Sequence, residues 1–185
     1  MNKIPRFNTK GFKLKTEHGR YIILGSIDGT LAVLGVVIGT SHVSSDTSIV
    51  INAALGGAIA LALTNGIGSY LAESAVEYGR LAELEKPLLR SLERTRLEQE
   101  TKKKIWSDSF FHGGASFLGS LVPILPFLLL DANQLEVAIV FSIIVLSILG
   151  VFSGKLAKQS LIKHSARMVG LGILIVAAVT ILGLE

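Results

Sequence analysis

Five long apolar stretches punctuate the chain, at Tyr21–Ser41, Ile49–Leu71, Phe110–Leu130, Val137–Ser153 and Met168–Leu184. A helix needs about 20 residues, within a range near 17–25, to cross the hydrocarbon core of a bilayer. All five stretches reach that length, the last two near its lower limit. Between the second and third, residues 73–107 turn to Ala, Leu, Glu, Arg and Lys, the composition of a solvated helix. The first half of this arm is expected to continue the second span as far as Glu85. Pro87 then marks a start or a kink, and a second helix runs to about Ile105. The pattern predicts an all-α membrane protein: five transmembrane helices with a helical arm between helices 2 and 3. Helices 1 and 2 fall in 21–72, the arm in 73–107 and helices 3 to 5 in 108–185, with no room for a separate soluble domain.

Composition agrees. Half of the residues are hydrophobic and 17% are charged, against about 25% in soluble domains. The positive charges are sorted by loop. Six Lys and Arg lie in residues 1–20, eight in the arm and four between spans four and five, which accounts for all 18. The loops at 42–48 and 131–136 and the carboxyl end have none. The positive-inside rule therefore places the basic amino terminus and the arm in the cytoplasm and the carboxyl terminus outside. An even number of spans breaks this alternation. The net charge of +4 belongs to a rim facing anionic headgroups, and nucleic acid is not an expected partner. The first span is too long for a signal peptide and lacks a cleavage site, so it is read as a retained helix in the cell membrane. No lipid-anchoring motif stands at either end.

Asp28 is a lone carboxylate inside the first span, which contains no Lys or Arg. An ionisable group at that depth costs about 2.5–3.5 kcal/mol on insertion scales and marks an ion, proton or substrate path. The alternative is a structural Asp, hydrogen-bonded to a neighbouring helix. Thr64 and Asn65 place oxygen-bearing side chains in span two, where an Asn serves either a site or a bond across to another helix. Glu73 and Glu77 share a helix face at i, i+4, a spacing that suits a divalent cation. The arm's eight basic residues equally suit a salt-bridged helical hairpin. Asp108 and His112, one turn apart at the start of span three, read as accessory metal or proton ligands or as an interfacial hydrogen-bonded pair. Gly25 with Gly29, and Gly35 with Gly39, are small-xxx-small pairs that serve packing within a subunit or a dimer seam. Pro123 and Pro126 are expected to deform the outer end of span three and free carbonyls that protein or a watery cavity must satisfy.

Enzyme chemistry is not expected. Cysteine is absent, which removes disulfides, thiolate metal sites and cysteine nucleophiles. The chain also lacks a nucleophile beside a base, a phosphate-cradling glycine loop and a hydrolytic metal triad.

Ser26-Ile-Asp-Gly29, Gly66-Ile-Gly-Ser-Tyr-Leu-Ala72, Phe110-Phe-His-Gly-Gly-Ala-Ser-Phe-Leu-Gly119 and Val122-Pro-Ile-Leu-Pro-Phe127 occur in an order and spacing that resembles the vacuolar iron transporter family. The resemblance implies a homodimer of five-helix subunits that moves Fe²⁺, often also Mn²⁺, out of the cytosol in exchange for protons. The metal is then cargo, and no permanently bound cofactor is implied. It assigns Asp28 to the membrane metal path and makes Glu73, Glu77, Glu83 and Glu85 the counterparts of a cytoplasmic metal-binding arm. Asn65 stands where the family usually has Met, and Ser69 where it usually has Glu. Asp28, Thr64 and Asn65 then make an all-oxygen set, which favours Mn²⁺ or Mg²⁺ over softer ions. The competing reading is a non-transporting membrane scaffold whose basic arm binds a cytoplasmic partner or anionic lipid.

Overall fold

A computed structural model describes residues 9–183. The first eight residues of the basic amino terminus, and the end of the fifth expected span at Leu184, lie outside them. The described chain is five helices: α1 Thr9–Val43, α2 Thr47–Leu88, α3 Arg96–Leu129, α4 Gln134–Leu156 and α5 Leu161–Leu182. All five carry a segment long and apolar enough to cross a membrane. The most extensive packing joins α1 to α3 and α2 to α3; α4 and α5 pair with each other at the side of α1.

The second half of the arm differs from the sequence expectation. At 1.5 Å per residue the 42 residues of α2 extend about 60 Å, twice the hydrocarbon thickness, so the first half of the arm is the overhang of span two, as expected. Pro87 lies inside the last turn of α2 and does not begin a new helix. The reversal occupies 89–95, where Leu89 and Arg94 take left-handed backbone angles (φ 48° and 58°). Glu85 holds this turn by accepting from the Leu92 amide at 2.6 Å and the Ser91 hydroxyl at 3.2 Å. Thr95 then caps α3 by accepting from the Glu98 amide, and Glu98 reaches back to the Arg94 amide at 2.6 Å. That is close to a reciprocal capping box, and it starts α3 at Arg96. No break follows near Ile105. Ser109 returns its hydroxyl to the Ile105 carbonyl and Asp108 has a partner on α1, so the polar residues there are satisfied inside a continuous helix. Helix α5 likewise begins seven residues before the expected Met168, because its first two turns carry Lys163, His164 and Arg167 and escape a hydropathy criterion.

Glycines decide how closely the helices approach. A Cβ on Gly29 would stand 2.8 Å from the Ser120 amide nitrogen, and one on Gly119 would stand 2.8 Å from the Ser26 Cα. Helices α1 and α3 thus touch backbone to backbone. A Cβ on Gly113 would stand 2.7 Å from the Ala62 carbonyl, which sets α2 against α3 in the same way. Gly35 and Gly39 meet Ile175 and Val179 of α5 at ordinary contact distances, so both small-residue pairs of α1 pack within this chain. At the end of the bundle away from the arm, Val33, Val37, Val50, Ala54, Ala58, Ile124, Phe127 and Ala138 form the apolar core.

Both prolines of span three sit within α3, which stays helical to Leu129. Lacking an amide hydrogen, Pro123 leaves the Gly119 carbonyl without its helical donor. Thr30 of α1 offers a shared one: its buried hydroxyl, with a single proton, lies 3.1 Å from the Gly119 oxygen and 2.8 Å from the Ser26 carbonyl of its own helix. Removing that hydroxyl in Thr30→Val keeps the shape and orphans the carbonyl. The variant is expected to lose about 1 kcal/mol of stability in detergent thermal unfolding. Thr40→Val, whose hydroxyl bonds only to its own helix, is the control expected to change little.

A polar seam and candidate metal path

Helices α1, α2 and α3 each direct a row of polar residues to their shared interface. On α3 the row is Lys104, Asp108, His112, Ser116 and Ser120, at every fourth position. On α2 it is Asn65, Ser69, Glu73 and Glu77, with the same spacing. On α1 it is His18, Tyr21 and Asp28, with Gly25 between them. Four-residue spacing keeps side chains on one helix face. The rows meet rung by rung, from the arm into the bundle.

At the arm end, Glu77 pairs with Lys104 at 2.9 Å and with Arg80 at 3.1 Å. Next, His18 Nδ1 lies 2.8 Å from Asp108 Oδ1, and Asp108 is fully buried. The Tyr21 hydroxyl donates to Glu73, and Arg20 lies 3.0 Å from that hydroxyl. Deeper, His112 sits between two helices. Its Nδ1 lies 2.5 Å from the Ser69 hydroxyl on α2, and its Nε2 faces Asp28 Oδ2 on α1 at 3.8 Å. Below that, Asn65 donates to Ser116 Oγ at 2.8 Å. The two His–carboxylate pairs across α1 and α3 have opposite sense: His18 with Asp108, then Asp28 with His112.

A cavity of about 630 Å³ opens at the arm end of the seam. Glu73, Glu77 and Asp108 line it together with Arg20, Arg80 and Lys104. Its acids therefore sit among bases, and its two sides balance in formal charge.

The expected site residues separate into groups. Glu73, Glu77 and Asp108 share the cavity. Glu83 is exposed on the arm, and Glu85 holds the arm turn. Asp108 and His112 do not pair with each other; each takes a partner on α1. Asp28 is brought to His112. Asn65 makes the cross-helix bond open to an intramembrane Asn, and Thr64 is exposed with its hydroxyl on the Ala60 carbonyl of its own helix. Among the described residues no three His, Asp or Glu side chains are gathered as a metal cluster. Sequence reasoning passed over His18, Tyr21 and the pairing role of Ser69. The signal was present: His18, Tyr21, Gly25 and Asp28 run at three- and four-residue spacing, one stripe of helix α1.

The part-buried Glu77–Lys104 pair is expected to couple by about 1 kcal/mol or more in a double-mutant cycle. The exposed Arg96–Glu100 pair on the arm is expected to give at most about 0.5 kcal/mol. Detergent unfolding of the single and double alanine variants measures both.

A sequence profile described as the VIT family matches residues 78–184, more than half of the chain. An uncharacterized protein of Methanocaldococcus jannaschii is 40% identical over 154 residues, covering 81% of this chain and 80% of its own length. With five helices long and apolar enough to span a membrane, three of them meeting at a polar seam, the chain belongs to the VIT (vacuolar iron transporter) family of membrane metal-ion transporters.

Proposed function

We propose that this protein carries Fe²⁺ or Mn²⁺ out of the cytosol across the cell membrane in exchange for protons, with Asp28 in the membrane path. The placement of Asp28 supports this most directly. It is a mid-span carboxylate with no Lys or Arg in the same span, its side chain is 42% exposed at the bundle surface, and it touches a polar seam that leads to a cavity lined by three acids and three bases. A carboxylate kept at that depth has a large cost to justify, and passage of a cation justifies it. In this reading the arm end faces the cytosol, which the distribution of Lys and Arg among the loops supports. Cations gather at Glu73, Glu77 and Asp108, with Glu83 and Glu85 as outlying acids of the arm. Asp28 then binds cation and proton by turns, so each displaces the other. The low burial of the α2 and α5 spans and the open side of Asp28 support contact with lipid and with a second copy of the chain in a homodimer.

Uptake into proteoliposomes loaded with a pH dye tests the reading. The wild type is expected to take up Fe²⁺ or Mn²⁺ with counterflow of protons, and Asp28→Asn to fall to background at unchanged abundance. Normal transport by Asp28→Asn refutes the role of this residue. No uptake of Fe²⁺, Mn²⁺ or Mg²⁺ by the wild type favours a scaffold. Orientation has its own test, since the chain has no native cysteine. In intact cells an impermeant maleimide is expected to label Glu185→Cys and spare Lys3→Cys; the converse reverses the topology.

A further inference from the structure

The all-oxygen set of Asp28, Thr64 and Asn65 is not the set of donors that faces Asp28. What faces it is the imidazole of His112. That side chain is 10% exposed, and among the described residues its Nε2 is buried with no hydrogen-bond partner. A buried polar atom without a partner costs about 1–3 kcal/mol; the Ser41, Ser74 and Ser142 hydroxyls are also unpartnered, but this imidazole nitrogen faces a carboxylate, and that pairing calls for a ligand. The Nε2 to Oδ2 separation of 3.8 Å exceeds hydrogen-bond range. It is close to the span of two ligands on one metal: bonds of about 2.1 Å at a tetrahedral angle put donors about 3.4 Å apart. A shift of a few tenths of an ångström closes the difference. The other ring nitrogen is already held by Ser69, the kind of outer partner that orients a ligating imidazole and directs its second nitrogen inward.

We propose that His112 Nε2 and the Asp28 carboxylate bind the transported cation together, making the intramembrane site a nitrogen–oxygen site that selects transition metals over Mg²⁺ and Ca²⁺. This rests on the reading that Asp28 lies in the metal path. The exposed side of Asp28 leaves the remaining coordination positions to water or to a group on a neighbouring surface. Imidazole suits later first-row ions, whereas carboxylate, carbonyl and water alone suit Mg²⁺, Ca²⁺ and Mn²⁺. His112 is thus the residue that sets selectivity, and Ser69 is a positioning residue that acts through it.

The test uses the full chain in lipid nanodiscs. Pulsed electron paramagnetic resonance of bound Mn²⁺ is expected to show the nitrogen modulation of a coordinated imidazole, and Asp28→Asn is expected to abolish it. His112→Asn is expected to weaken Co²⁺ binding at least about tenfold while leaving Mg²⁺ binding little changed, and Ser69→Ala to weaken Co²⁺ about 10-fold or more. No nitrogen modulation in the wild type, or a signal that survives Asp28→Asn, overturns the inference even if His112→Asn does not fold. Unchanged Co²⁺ affinity in a folded His112→Asn also overturns it. If Asp28→Asn still abolishes uptake in either case, the transport reading stands without the nitrogen ligand. Normal uptake by Asp28→Asn removes both.

Discussion

The bundle depends on the direct backbone contact between α1 and α3. Gly25, Gly29 and Gly119 remove the side chains that would hold the two helices apart. In a bilayer apolar side chains gain little from leaving lipid, so helix association relies on close packing and on hydrogen bonds between helices. Both follow from the one contact. Once the helices touch, short side chains reach across: Thr30 to the Gly119 carbonyl, His18 to Asp108, Asp28 towards His112. An added methyl at Gly29 or Gly119 would collide with backbone, and none of these rungs tolerates a wider gap.

Within that frame the polar seam is nearly self-sufficient. Hydroxyls of Ser109, Ser116 and Ser120 return to carbonyls one turn earlier in α3, and Ser116 also receives Asn65. The acids at the arm end stand beside Tyr21, Arg80 and Lys104. Among the described residues four buried side-chain polar atoms lack a partner; the Ser41, Ser74 and Ser142 hydroxyls lie outside the three rows of the seam, and the fourth lies within them. The exception along the seam is the space between His112 Nε2 and Asp28. It lies where the seam passes from the paired acids of the arm end into the apolar body of the bundle, and one side of it opens to the bundle surface.

Much of the fold was legible in the sequence, because span length and helical stripes are local properties. The five spans follow from apolar runs, and the i, i+4 rows on α2 and α3 are visible once the period is applied. The differences share a cause. Pro87 is outweighed by the helix formers around it, and a turn fixed by Glu85 and Thr95 depends on contacts that composition does not report. Helix α5 starts before its apolar run because hydropathy measures lipid preference and is blind to a polar first turn. Pro123 leaves α3 helical, and the Gly119 carbonyl it frees meets a hydroxyl from 89 residues earlier in the chain.

Sequence alone determined that this chain is a five-helix membrane protein, that its basic residues gather in alternate loops, and that Asp28 is out of place in lipid. Those features depend on residue type and on distance along the chain, which a string of letters contains. Which residue answers Asp28 is different. His112 is 84 positions away, on a helix brought alongside only by glycine contacts, and its free nitrogen is set by the hydroxyl of Ser69 on a third helix. Tertiary structure made that choice, because the approach of helix axes, to a fraction of an ångström, decides which side chains meet.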